Sequence, residues 1–186
     1  MVESTSNSKT KLTQVQLDKS VHDRNGFDCG SEELNKFLQQ QAAAMDKRGL
    51  AKTQVLVDEQ NPSEILAFMT LKNSEVVFAP GTKVPGRSNP PNNTAPALLL
   101  ARMGVAQQHQ GKTLGKHLIT SVILQVAECY RHPAIPPFIG IVVDPKDGAD
   151  GFYQKFGFVE FEAPDGQTRL FLPLETCLQF AQAAGY

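Results

Sequence analysis

The sequence predicts an α/β (α+β) fold, a mixed central sheet of six to seven strands flanked by helices on both faces. Two observations predict it. Short β-rich runs bounded by turn residues crowd residues 53–105, after one opening helix. From residue 114 onward, helical and extended patterns alternate. Strands first and alternation afterwards is the signature of one mixed sheet covered by helices. The chain contains no internal repeat.

The elements follow in order. Ser31 stands where a helix N-cap belongs, and Leu34, Phe37, Leu38 and Met45 follow at helical spacing up to Gly49, which is suited to end the helix. Thr53 to Val57 and Ile65 to Leu71 read as strands joined by a turn containing Asn61-Pro62, and Ser74 to Phe78 as a third strand. Ala79 to Pro96 carries five prolines and two glycines, so it is a loop. Ala97 to Val105 is an apolar strand. Leu114, Leu118, Val122 and Val126 line one face of a helix that must stop before Pro133. Phe138 to Val143 reads as a buried strand, and Asp150 to Phe156 as a short helix ended by Gly157. Phe158 to Phe161 and Leu170 to Leu172 form a closing hairpin across Pro164-Asp165-Gly166.

A chain of 186 residues suits one domain, expected at residues 11–186 behind a polar, Ser/Thr-rich tail at residues 1–10. Apolar content of 41% and charged content of 20% place it among ordinary globular proteins, and no apolar run approaches a membrane span. No signal-peptide core opens the chain, and Cys29, Cys129 and Cys177 form an odd set without metal spacing; a reducing, cytoplasmic setting is the natural expectation. A net charge of −1 excludes a global basic field, although residues 102–131 are locally basic.

The most informative segment is Arg102 to Lys116. An apolar strand runs into a polar loop with glycines and lysines, which opens into an amphipathic helix. The unpaired N–H groups of a helix start attract phosphate oxygens. A nucleoside-triphosphate loop would need glycine where Ala106 stands, and glycines at 104, 111 and 115 do not fit the dinucleotide fingerprint. The pattern [QR]-x-x-G-x-[GA] fits, with Gln110 first and Gly115 last and with Thr113 where a middle glycine is expected.

That loop resembles the pyrophosphate loop of the GNAT N-acetyltransferases. The segment Gly26-Phe27-Asp28-Cys29-Gly30 to Leu38 resembles the opening of one branch, the acetyltransferase toxins of bacterial toxin–antitoxin pairs. Val142-Val143-Asp144-Pro145-Lys146-Asp147 and Phe152-Tyr153-Gln154-Lys155-Phe156-Gly157-Phe158 resemble their C-terminal half. The resemblance covers roughly residues 10 to 175 in the same order. It implies a GNAT fold, acetyl-coenzyme A (acetyl-CoA) as cosubstrate and no metal. It further implies a homodimer, a ribbon-helix-helix antitoxin and aminoacyl-tRNA as acceptor, without membrane association.

By the same resemblance, Met103, Gly104 and Val105 pair through their backbone with the pantetheine arm. Gln110, Gly111, Lys112, Thr113, Leu114, Gly115 and Lys116 hold the pyrophosphate, and Phe156 touches the cofactor. Tyr153 protonates the leaving thiolate, since a phenol with an ordinary pKa of about 10 is an acid rather than a base at neutral pH. The N–H of Val105 or Met103 is the expected donor to the thioester oxygen. No carboxylate stands out as general base; Asp144 fits turn capping better than catalysis. His109 and His117 lack the partners of a metal site. Lys47, Arg48, Lys52, Arg87 and Arg102 are candidates for RNA contact, or simply solvated surface.

Three functions compete: a toxin acetylating the α-amine of aminoacyl-tRNA, a housekeeping enzyme acetylating a small-molecule or protein amine, and a non-catalytic binding module. The first two share every catalytic residue. Thr113 alone speaks for the third.

Overall fold

The computed structural model describes residues 11–85, 88–146 and 148–186. The expected tail at residues 1–10 lies outside them. Strands β1 Leu12–Gln16, β2 Lys52–Asp58, β3 Ala67–Val77, β4 Thr94–Val105, β5 Gly140–Val143, β6 Val159–Glu162 and β7 Thr168–Pro173 form one sheet in the order β1-β2-β3-β4-β5-β7-β6. Helices are α1 Glu32–Lys36, α2 Ala42–Lys47, α3 Leu114–Arg131, α4 Asp150–Gln154 and α5 Leu174–Ala183. All neighbouring strands run antiparallel except β4 and β5, which are parallel. The expected mixed sheet is therefore present, with seven strands.

Helices cover both faces. On one face α3 and α5 bury Leu118, Val122, Ile123, Val126 and Cys177 against Leu56, Met69, Leu100, Ile141 and Leu172. Each such fully buried aliphatic side chain contributes about 1.5–3 kcal/mol. On the other face the opening helix presses Phe37 and Leu38 onto Val55, Val57 and Phe68. The far end of that face is closed by loops, where Phe78, Phe161 and Phe171 meet at ring distances of 5.0 to 6.4 Å.

The structure corrects several element boundaries. Two strands expected at 65–71 and 74–78 are one continuous strand, β3, paired along its length with β4. The opening helix is interrupted by a π-helical turn at Phe37–Gln41, and Gly49 ends it at φ +69°. Ser31 occupies the N-cap position, but its side chain does not cap; its hydroxyl accepts from Lys146 Nζ at 3.1 Å instead. Strand β1 and helix α5 were not expected from the sequence. Helix α3 ends at Arg131, before Pro133, and β6 pairs with β7 as the expected hairpin.

Two irregularities of β4 shape the functional end. Thr70 faces Arg102 while Leu71 faces Leu100, so Ala101 is an extra residue on β4, a β-bulge. Before the bulge, Leu98 and Leu100 point toward α3; beyond it the odd-numbered Met103 and Val105 do so, and Arg102 and Gly104 turn toward the opening helix. Strands β4 and β5 also pair only at Leu98–Ile141 and Leu99–Val142. Beyond that point they diverge, and the sheet opens into a cleft.

Candidate active site

The cleft holds two adjoining cavities that share Phe152. The inner one, about 390 Å³, is lined by Leu100 to Met103 of β4, Val143 at the end of β5 and Asp144 just after it, Phe152 and Tyr153 of α4, and Glu33, Leu34, Lys146 and Ala149 at the rim. The outer one, about 350 Å³, lies over the loop leading into α3 and is lined by Val105, His109 to Gly111, Thr113 to Lys116 and Phe152.

Backbone geometry turns β4 toward the cleft. The Ala106 N–H donates to the Leu66 carbonyl at 2.9 Å, on the β3 side. Since backbone polar groups alternate along a strand, those of Met103 and Val105 point the other way, into the gap beside β5. The Val105 carbonyl there accepts from Gln110 Nε2 at 3.0 Å, and the same amide donates to the Cys29 carbonyl at 3.0 Å. The Gln110 side chain thus fastens the loop to the end of β4 and to the Phe27–Gly30 segment.

That segment is a brace. Asp28 Oδ1 accepts from the Gly30 N–H at 2.8 Å and from Asn35 Nδ2 at 2.7 Å, which holds its carboxyl below the usual range. Asn35 Oδ1 in turn accepts from the Cys29 N–H at 3.0 Å, and Gln107 donates its N–H to the Asp28 carbonyl at 2.9 Å. Gly104 lies beneath: a Cβ there would come 2.9 Å from the Phe68 ring and 3.4 Å from Cys29 Sγ. Glycine at 104 is therefore required by packing on the face away from the cleft.

The loop leading into α3 has left-handed backbone at two places, Gly111 at φ +75° and Thr113 at φ +66°. Thr113, the N-cap of the 18-residue α3, takes up the left-handed conformation that glycine adopts most readily. Its N–H and those of the following residues crown the helix start. Lys116 borders the outer cavity; Lys112 is exposed on the loop and does not line it. Gly115 faces Phe152, where a Cβ would meet the ring at 3.4 Å, and Leu114 is buried under the loop.

Tyr153 is 7% exposed, packs edge-on against Phe152 (5.2 Å) and Phe158 (5.5 Å), and has no hydrogen-bond partner among the described residues. Burial pushes its pKa up to about 12, so it stays protonated and presents an O–H donor to the inner cavity. Phe156 packs against Phe152 at 5.4 Å and lines neither cavity. Phe152, which is not among the site residues expected from the sequence, is the aromatic ring common to both. Its position beside Gly115 depends on how α4 docks, which residue spacing does not reveal.

The rim carries paired charges. Glu33 faces Lys146 Nζ at 3.0 Å and Arg102 Nη2 at 3.3 Å; the Lys146 ammonium, and then Arg102, hold its carboxyl below the usual range. Arg102 also lies over the Phe37 ring, 5.5 Å from its centroid. Asp144 faces Arg169 at 3.5 Å. Both carboxylates at the cavity thus face cations. His109 faces Glu64 at 3.4 Å, and the described residues contain no group of three or more His, Cys, Asp or Glu placed to hold a metal ion. Of the other basic candidates, Lys52 pairs with Asp46 at 2.9 Å, Lys47 and Arg48 sit at the end of α2, and Arg87 lies outside the described residues. No described helix is long and apolar enough to cross a membrane.

The family model for the acetyltransferase (GNAT) domain matches residues 51–160. A probable toxin TacT of Sinorhizobium fredii is 23% identical over 171 residues, 86% of this chain and 90% of that protein. A tyrosine-to-phenylalanine mutant of the AtaT toxin, bound to the C-terminus of the antitoxin AtaR and to acetyl-CoA, superposes with a TM-score of 0.72 at 22% identity, over 89% of this chain and 95% of that one. AtaT complexed with acetyl-methionyl-tRNAfMet gives a TM-score of 0.76 at 23% identity, over 89% and 96%. With its splayed β4–β5 cleft, its phosphate-type loop and a matching family model over more than half its length, the chain belongs to the GNAT acetyltransferase family.

Proposed function

We propose that the protein transfers acetyl from acetyl-CoA to the α-amine of an aminoacyl-tRNA and so blocks translation, as the toxin of a toxin–antitoxin pair. The observation that carries the reading is the joining of the two cavities at Phe152, one over the helix-start loop and one ending at Tyr153. Their shape suits an extended molecule with a phosphate at one end and a reacting group at the other.

The residues divide the work as follows. The backbone N–H groups of Gly111 to Gly115, the α3 N-terminus and Lys116 hold the pyrophosphate. Met103 and Val105 offer backbone partners to the pantetheine arm, and one of their N–H groups donates to the thioester oxygen as it gains negative charge. Acetyl-CoA supplies an activated acyl group. The acceptor nitrogen bonds to the acyl carbon, the carbon–sulfur bond breaks, and the Tyr153 hydroxyl gives its proton to the leaving sulfur. The proton shed by the amine passes to solvent, from which Tyr153 is restored. A strong base is unnecessary, because an α-amine beside an ester is less basic than a free amine and a substantial fraction of it is neutral near pH 7.

The acceptor and the antitoxin are supported by the AtaT relatives, and a cytoplasmic setting is proposed with them. We extend the same proposal to a homodimer and to an antitoxin of the ribbon-helix-helix class. The test is in vitro translation with labelled acetyl-CoA. The label is expected in the aminoacyl-tRNA fraction, with arrest of synthesis; label confined to free amines or proteins contradicts the proposal.

A further inference from the structure

The rim of the inner cavity holds one charge arrangement that acetyl transfer itself does not use. Glu33 on α1 bridges two cations from separate parts of the fold, Arg102 on β4 at 3.3 Å and Lys146 after β5 at 3.0 Å. Lys146 also donates to Ser31 Oγ at 3.1 Å. All three ionic side chains line the cavity that ends at Tyr153. The other rim carboxylate, Asp144, is turned to Arg169. Two cations therefore share one anion, Glu33, at the mouth, directly beside the apolar lining residues Leu100, Met103, Val143, Ala149 and Phe152.

Glu33 is an easily displaced anion. Its side chain is 59% exposed, as is that of Lys146, and exposed ion pairs of this kind contribute little. A phosphate diester offers the same two cations charge-assisted bonds without tying down a helix side chain. Resting on the proposed function, we propose that Arg102 and Lys146 clamp the terminal phosphate of the charged acceptor, and that Glu33 is the resident counter-ion which this phosphate displaces. The chemistry of the acceptor favours a phosphate. An amino acid esterified to tRNA has no free α-carboxylate, so the anion common to every such acceptor near its α-amine is the phosphate of the 3′-terminal nucleotide. A free amino acid would instead present its own carboxylate to the clamp.

The experiment measures kcat/KM at fixed acetyl-CoA for three acceptors: a mixed pool of charged tRNA, free amino acids, and an amino acid amide that has neither phosphate nor carboxylate. Glu33→Gln is expected to raise the ratio of charged tRNA over amide about 3- to 10-fold through KM, because the clamp loses its competitor. Lys146→Ala is expected to lower that ratio about tenfold and to flatten the salt dependence by a slope of about 0.7, the value for one phosphate contact on a single strand; Lys146→Arg restores both. Variants that shift tRNA and amide equally would overturn the clamp, as would an unchanged ratio. A rise confined to free amino acids would overturn the phosphate assignment. If the unmodified protein acetylates the amide but no charged tRNA, the proposed acceptor and the clamp both fall. If it acetylates charged tRNA and the variants leave the ratio unmoved, the clamp alone falls.

Discussion

The Gln110 side-chain amide reaches back to the Val105 carbonyl at 3.0 Å, closing the loop onto the strand from which it departs. A second bond from the same nitrogen to the Cys29 carbonyl ties in the Phe27–Gly30 segment. The side chain of the first residue of the loop pattern thus latches the loop to the strand and to the Phe27–Gly30 segment. Gln110→Ala removes both bonds, for a loss of about 1–2 kcal/mol in stability. The loop then samples open forms, and acetyl-CoA affinity measured by calorimetry is expected to weaken about tenfold. Unchanged affinity would show that the loop holds its shape without the latch.

Thr113 carries a β-branched side chain at φ +66°, a conformation that costs such a residue roughly 1–2 kcal/mol. Thr113→Gly relieves that strain, partly offset by the greater freedom of glycine in the unfolded chain. A net gain of about 1 kcal/mol, seen as a Tm rise of a few degrees, is expected, with acetyl-CoA affinity equal or tighter. A lower Tm would mean that the threonine side chain supplies contacts that outweigh the backbone strain.

Much of this arrangement was legible in the chain. The order of elements, the phosphate-type loop and the Phe152-Tyr153 segment stand out because local spacing encodes them. The Ala101 bulge does not, since it exists only in the pairing of β4 with β3. Strand β1 is an edge strand with half-exposed polar residues, and α5 follows directly from β7, so neither announces itself by composition. The Glu33–Arg102–Lys146 cluster joins residues 113 positions apart, at the extremes, and only the folded sheet assembles it. Substitution of Phe152 for Phe156 at the cavities has the same origin: both rings fit a short helix, and docking decides which one faces Gly115.

Gly104 and Gly115 look alike in the sequence but differ in their surroundings. A Cβ at 104 would lie 2.9 Å from a fully buried Phe68 ring, whereas at 115 the contact is an ordinary 3.4 Å. Gly104→Ala is expected to destabilise the protein by about 1–3 kcal/mol in denaturant unfolding. Gly115→Ala should leave stability nearly unchanged while narrowing the outer cavity and weakening acetyl-CoA binding. Equal stability losses at the two positions would contradict the packing described.

Tyr153 and Cys177 both have pKa values raised by burial to about 12. Their folded values exceed the unfolded ones, so the neutral forms are bound more tightly in the native state. The associated stability is fully present below about pH 9 and is lost as pH rises toward 12. Tyr153 alone accounts for roughly 3 kcal/mol of that loss. Alkaline unfolding monitored by circular dichroism should therefore steepen above pH 9, and Tyr153→Phe should soften the decline. A variant with an unaltered alkaline profile would show that Tyr153 ionises without resistance.

The central claim is that Tyr153 supplies the proton at the end of the cleft while the helix-start loop holds the cosubstrate. The direct measurement is the acetylation rate of Tyr153→Phe beside its calorimetric affinity for acetyl-CoA. General-acid contributions are about 10²–10⁴-fold, so turnover should fall by at least about 100-fold. Affinity should stay within about twofold, since phenylalanine keeps the ring packing against Phe152 and Phe158. Turnover equal to that of the unmodified protein, at saturating acetyl-CoA, would contradict the account.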